Sequence, residues 1–421
     1  MDQHYPQQPQ PTPGAPGTPP QGYGYYYLPV QTPPVQVPQP SVPQYSYSPA
    51  QYPPQGYSYP PTQPAMPYTP YQYPNGYPIY PGNPYYYDPV LARKEYEKRL
   101  KIEQAKESLR YLGNISGLSV ILFLAFNTVI SLLLTVPGMM DLYQNNSLFY
   151  SAFSIVASFM YLFVPFSIIA ALIRRRDKAV NFFPFKKMNS KRALLCIPIG
   201  AAACLLANVL TSLFVSLLEN FGISLSQQSD TAVRPDTVPE LLLAIACTAI
   251  MPALLEEYAL RGVLLQPARR YGMVFAILST SAIFGLMHGN LIQAPFAFLV
   301  GCCFAFLAIK CDSLWIGVIL HFLNNGFSVL MEYLDKKLPE LTYNAVYYVC
   351  VSVIALAGIV CLVVLIVSDK QFFKKTEGDA AKEEAGILSA GQKFVAYFVN
   401  APMIISFVLM ALLTLQYIAK K

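Results

Sequence analysis

The sequence predicts an all-α, multi-pass transmembrane helical bundle, and three observations carry that prediction. Hydrophobic residues make up 54% of the 421-residue chain and charged residues only 12%, about half the charged share of a soluble domain. The apolar residues fall into runs long enough to cross a bilayer, for which about 20 residues suffice. Lysine and arginine gather between alternate runs, as positive-inside bias requires. That clustering accounts for the net charge of +6. The partner it implies is the lipid bilayer, not a nucleic acid.

Residues 1–88 are rich in Pro, Tyr, Gln and Gly, and Asp2 is their only acidic or basic residue before Asp88. Such a composition cannot bury a core, so a long disordered N-terminal tail is expected, able to dock another protein through proline or tyrosine. Its polar start has no cleavable leader pattern. Residues 89–112 form a basic juxtamembrane helix, with Glu95–Arg99 and Glu97–Lys101 at helical spacing. It is expected to lie on the cytoplasmic leaflet.

About nine spans follow, eight at the least. They are expected near 114–136, 149–173, 193–218, 239–265, 272–288, 291–309, 313–334, 344–368 and 396–418. They divide into a transmembrane domain over 113–368, a polar linker over 369–393 and a C-terminal transmembrane helix within 394–421. Arg174, Arg175, Arg176, Lys178, Lys186, Lys187, Lys191 and Arg192 crowd the loop after span two, whereas residues 137–148 contain no lysine or arginine. This alternation places the N-terminus in the cytoplasm of a multi-pass cell-membrane protein. The eight cysteines lie in or beside the spans without a CxxC pair, so they read as small buried apolar residues.

Within the apolar run from Leu241 to Leu265 stand Glu256, Glu257 and Arg261. Ionised groups at bilayer depth cost roughly 2.5–3.5 kcal/mol each. On a helix Glu257 and Arg261 share a face, and Glu256 points about 100° away. One carboxylate can therefore be held by the arginine while the other stays free. The plain alternative is an ion pair that only locks helices together. Of the three histidines, His4 falls in the tail, while His288 and His321 lie at membrane depth. Asn325 shares a helix face with His321, and Asn324 lies beside it. A simple interhelical hydrogen bond, worth about 0.6 kcal/mol, is the plain alternative for each. Confined together to spans four, five and seven, these groups point to a functional site.

Peptide hydrolysis needs an activated water, donors for the tetrahedral oxyanion and a proton for the leaving amine. A glutamate in a low-dielectric site can take a proton from water, and a histidine can orient that water. A second histidine and an asparagine amide can supply oxyanion donors. No Ser–His–Asp, GxSxG or HExxH pattern is present. His288, Glu256 and His321 could instead bind zinc from separate helices, although they lack local ligand spacing.

Glu256-Glu257-x-x-x-Arg261, Phe284-x-x-x-His288 and His321-x-x-x-Asn325, in that order, resemble the motif set of the CPBP family. That family comprises the type II CAAX prenyl proteases and the bacteriocin-processing and self-immunity (Abi) proteins. Arg261-Gly262-Val263-Leu264-Leu265 and Ser313-Leu314-Trp315 extend the resemblance, which covers roughly residues 239–334. It implies a bacterial-type intramembrane endopeptidase acting on a membrane-associated peptide or protein. Glu256 and His288 would activate water, His321 and Asn325 would form the oxyanion site, and Glu257 and Arg261 would support them. No cofactor is expected, zinc on Glu256, His288 and His321 being the alternative. Other functions for the same residues are partner binding by a non-proteolytic, immunity-type member and proton-coupled transport. No second copy of the motifs appears in the sequence, as an internally repeated transporter would show. On the boundaries above, Glu256 lies about two-thirds of the way across span four and His288 at the outer end of span five, too far apart to meet; the motifs outweigh boundaries good to a few residues, so Glu256, His288, His321 and Asn325 are expected to converge on one water-accessible cavity.

Overall fold

The structure, a computed structural model, describes residues 71–72, 78–79, 89–188, 190–225, 235–374 and 386–419. In the first of its two units, β1 (Tyr71–Gln72) pairs antiparallel with β2 (Pro78–Ile79). The remainder of the tail expected to be disordered lies outside the described residues, as do residues 375–385 of the expected polar linker.

The second unit is helical. Its elements are α1 (Pro89–Leu133), α2 (Met139–Asn145), α3 (Ser147–Arg176), α4 (Ser190–Asn220), α5 (Val238–Tyr271), α6 (Met273–Met287), α7 (Ala294–Cys311), α8 (Trp315–Lys337), α9 (Glu340–Ser368), α10 (Ala390–Phe398) and α11 (Ala401–Leu415). A helix corresponds to each of the nine expected spans. Six of them, α1, α3, α4, α5, α7 and α9, are long and apolar enough to cross a membrane, and α10 with α11 makes up to seven. The short α6 and the polar α8 account for the difference from nine. The chain is thus a multi-pass membrane protein.

Several boundaries differ from expectation. The juxtamembrane segment and the first span form one continuous helix of 45 residues. At 1.5 Å per residue it is about 67 Å long, so its charged half must project beyond a hydrocarbon core of about 30 Å. The expected single span over 396–418 is a pair of helices bent by 74°. Span four runs on to Tyr271, six residues beyond the expected Leu265.

Local chemistry sets the helix ends. Thr237 and Glu240 form a reciprocal capping box at the start of α5. Asn146 caps α3, Ser389 caps α10 and Asn400 caps α11, each side chain accepting from a backbone N–H of the first turn. Two π-helical turns interrupt α5, at Ile245–Ile250 and Tyr258–Leu264. The first precedes Pro252, which cannot donate to the carbonyl of Thr248 four residues back.

The two ends of the bundle differ in charge. At one end Arg176 pairs with Glu107, Lys186 with Asp312, Arg192 with Asp369 and Arg270 with Asp177. At the other, Lys336 and Lys337 face Asp236, and β3 (Ser224–Leu225) pairs with β4 (Ile418–Ala419). The basic loops read from the sequence thus collect at one end.

The C-terminal helices clasp α1. Tyr397, fully buried, donates to Ser116 Oγ at 2.8 Å, and Ser406 donates to the Gly117 carbonyl at 2.7 Å. A Cβ at Gly117 would sit 2.4 Å from the backbone nitrogen of Met403. Backbone cannot swing aside as a side-chain tip can, so Gly117→Ala should force α1 and α11 apart. The expected cost is about 1–3 kcal/mol, the usual range for overpacking, visible as a lower unfolding temperature of the purified protein. An unchanged midpoint would show that the clasp yields freely.

Candidate functional site

At the centre of the bundle is Glu257, fully buried on α5. Its Oε1 lies 3.1 Å from Nη1 of Arg261, one turn on, and 3.2 Å from Nδ1 of His321 on α8. A Cβ at Gly317, one turn before His321, would come within 2.3 Å of the other oxygen, Oε2. Glycine there is what lets α8 approach the carboxylate. Arg261 is equally buried. Its guanidinium lies over the rings of Phe284 on α6 and Phe304 on α7, at 4.8 and 5.6 Å, and Nη2 donates to the Gly301 carbonyl at 3.5 Å. One ion pair therefore ties four helices together, with cation–π contacts on both sides.

Glu256 is different. Its side chain keeps 21% exposure and faces a cavity of about 560 Å³. The nearest charged partner is Nε2 of His321, at 3.7 Å from Oε2. The two adjacent carboxylates are thus divided as the helical spacing indicates, Glu257 held by Arg261 and Glu256 facing open space. Also lining this cavity are His288, His321, Asn324 and Asn325.

His288 follows the last residue of α6. Its Nδ1 lies 2.9 Å from the Phe284 carbonyl. A carbonyl only accepts, so Nδ1 carries a proton, which leaves Nε2 for another partner. Asn325 donates from Nδ2 to the Thr248 carbonyl at 3.0 Å, the acceptor whose helical donor Pro252 removes. Asn324 donates in turn to Asn325 Oδ1 at 3.0 Å. The side-chain oxygen of Asn325 therefore accepts, and its second amide hydrogen remains for another partner.

The depth conflict in the sequence reading disappears, and helix ends explain why. Tyr271 closes α5 and Met273 opens α6, so the turn between them lies at Gly272. Glu256 stands as far before Tyr271 as His288 stands after Met273, about 22 Å in each case at 1.5 Å per residue. In an antiparallel pair, equal distances from the turn give equal depth. The expected boundaries misplaced that turn by ending span four at Leu265.

Sequence reasoning missed several contributors. Asn127 on α1 and Tyr161 on α3 line the cavity. Asn290 organises the irregular loop between α6 and α7, accepting from Ile292 N and Gln293 N and donating to the His288 carbonyl. An asparagine in an apolar run was the available signal for Asn127 and Asn290. Gly317 gave none, since glycine is common in membrane helices.

The zinc alternative names three donors. Glu256, His288 and His321 border one cavity, but no three His, Cys, Asp or Glu side chains among the described residues gather closely enough to hold an ion.

Comparison with known proteins agrees with the resemblance read from the motifs. Residues 238–327 match the family described as type II CAAX prenyl endopeptidase Rce1-like, a segment that contains all seven candidate residues. YdiL of Bacillus subtilis, provisionally named a membrane peptidase, is 28% identical over 128 residues, 29% of this chain and 52% of its own length. MroQ of Staphylococcus aureus, named a membrane-embedded CAAX protease, is 28% identical over 134 residues, 28% of this chain and 54% of its own. The chain thus spans about half the length of the curated relatives it matches. No solved structure matches it.

A buried pair broken on one side costs about 3–5 kcal/mol, because the remaining charge is stranded. Arg261→Gln should therefore destabilise the protein on that scale in thermal unfolding. Adding Glu257→Gln should restore part of the loss, since no net charge then remains buried at the pair. If the two losses simply add, the groups are not coupled.

Proposed function

We propose that this chain is an intramembrane endopeptidase of the CPBP type that hydrolyses a peptide bond without a metal. One observation carries the reading. Four polar side chains from three helices, all within the segment that matches the endopeptidase family, border one cavity beside a buried ion pair. The peptidase names of the two relatives point the same way.

Water in the cavity is held between Glu256 and Nε2 of His288. Glu256 takes its proton as the oxygen attacks the scissile carbonyl, and the carbonyl π electrons move onto oxygen. The second amide hydrogen of Asn325 stabilises that oxyanion, together with Nε2–H of His321 in its doubly protonated form. Glu257 accepts from Nδ1 of His321 throughout and so fixes the ring. The long 3.7 Å approach of Nε2 to Glu256 can be exchanged for the oxyanion without breaking a short bond. The tetrahedral intermediate collapses, the C–N bond breaks, and Glu256 passes its proton to the departing amine. The basic loops support an orientation with the N-terminus in the cytoplasm.

Glu256→Gln keeps the shape of the side chain and removes the base. It should fold and insert yet lose hydrolysis by at least about a hundredfold, the usual scale for a positioned acid–base group. The assay is cleavage of a membrane-peptide library by purified wild type and variant side by side. Turnover retained in the variant would remove Glu256 from the mechanism, and a wild type without turnover would remove the peptidase reading.

Exhaustive chelation should leave activity intact, and elemental analysis should find less than one zinc per chain. Stoichiometric zinc that restores a chelated, inactive enzyme would falsify metal independence.

A further inference from the structure

Beside the cavity, and on the other side of α8, lies a second, larger space of about 1080 Å³ between α4, α8 and α9. Its walls are largely apolar, but two edges are not. Asn208, Ser212 and Ser216 recur every fourth residue along α4, and Asn324, Ser328 and Glu332 do the same along α8. A four-residue repeat keeps each set on one helix face. The groove is therefore bounded by two lines of hydrogen-bonding side chains. Ser328 Oγ donates to the Asn324 carbonyl at 3.3 Å. Among the described residues the side chains of Asn208, Ser212 and Ser216 have no hydrogen-bond partner.

Polar groups left unsatisfied in hydrocarbon cost several kcal/mol each. A groove that keeps three of them open at bilayer depth must receive something that carries donors and acceptors at a matching repeat. An acyl or isoprenoid chain carries none along its length. An extended peptide offers an N–H and a C=O on the same edge every second residue, about 6.7 Å apart. The helical repeat of four residues rises about 6 Å, close enough for successive side chains to meet successive peptide groups. Asn324 completes the argument, for it lines the groove and the cavity of Glu256 alike and is hydrogen-bonded to Asn325.

We propose that the groove between α4 and α8 docks the substrate as an extended peptide, its two edges hydrogen-bonded to peptide groups, and delivers the scissile bond past Asn324. This rests on the peptidase reading of the neighbouring cavity and names how its substrate is held. Glu332 lies toward the end where Lys336 and Lys337 face Asp236. The substrate thus approaches from the end of the bundle opposite the basic loops.

Trp315 is the chain's single tryptophan, so the groove can be given its own reporter. The full chain carrying Leu213→Trp with Trp315→Phe is reconstituted in phosphatidylcholine vesicles with brominated acyl chains, which quench an indole in contact with lipid. The probe is a mixed library of apolar peptides. Peptide should relieve the quenching, and Ser212→Val with Ser328→Val should weaken that effect about tenfold, the net worth of two hydrogen bonds. If the valine pair does not fold, Ser212→Ala with Ser328→Ala removes the same hydroxyls with less bulk. Full quenching indifferent to peptide means acyl chains fill the groove and overturns the proposal. Water-exposed emission indifferent to both lipid and peptide means water fills it and does the same. Since the readout is binding, relief without cleavage sinks the peptidase reading alone, whereas cleavage without relief sinks the groove alone.

Discussion

The structure turns on a charge that cannot be left alone. A carboxylate with no exposure, held in a membrane bundle, is tolerated only if opposite charge and hydrogen-bond donors reach it. Glu257 receives Arg261 from its own helix and His321 from α8, and each contact dictates more structure. Arg261 needs a carbonyl and aromatic faces, which bring in α7 and α6. His321 needs α8 close, which Gly317 permits. The Arg261 guanidinium thus offsets the Glu257 carboxylate directly, at 3.1 Å.

Depth is the second constraint. A water-using site inside a membrane must gather side chains from different helices at one level. Here α5 and α6 do this as a hairpin, with Glu256 and His288 equally far from the turn. The short α6, only 15 residues, ends at the level of the site and not at the far surface. That leaves irregular backbone from His288 to Gln293 within the bundle, which hydrocarbon does not tolerate unless its polar groups are paired. Asn290 pairs them, bonding two backbone N–H groups and the His288 carbonyl. The π turn near Thr248 works similarly, for the carbonyl deprived of the Pro252 donor is taken by Asn325.

The parts legible in the sequence were those that hydrocarbon makes conspicuous. Ionisable residues are rare in apolar runs, so Glu256, Glu257, Arg261, His288 and His321 stood out singly. Four-residue spacing assigned Glu257 to Arg261 and put His321 beside Asn325. The helical fold class followed from run length and charge placement. What stayed hidden depends on where helices end or on what touches them from afar. The turn at Gly272 was misplaced because Gln266-Pro267-Ala268-Arg269-Arg270 reads as a polar loop although the helix continues through it to Tyr271, and π turns leave no period. Continuity of the charged helix 89–112 with the first span was obscured because charge, not structure, changes there. Asn127 and Tyr161 are ordinary residues until tertiary packing points them at Glu256.

Chemistry and enclosure come from different stretches of the chain. Glu256, His288, His321 and Asn325 all fall within residues 238–327, the segment that matches the endopeptidase family. The surfaces around them do not. Asn127 comes from α1 and Tyr161 from α3, while α4 and α9 form walls of the neighbouring groove. The C-terminal pair reaches the site as well, since Met410 packs beside Gly289 next to His288 and Tyr397 fastens α1 through Ser116. On the proposed reading the reacting groups need only one another and a water molecule, so their requirements are met by a short, fixed set of spacings. Choice of substrate is set by shape and hydrogen bonding over a much larger surface, and that surface belongs mostly to helices outside the matched segment. If the proposed reading holds, a chain can keep the chemistry of the matched segment while taking a different peptide, and the residues that decide which peptide are to be sought on α1, α3, α4 and α9.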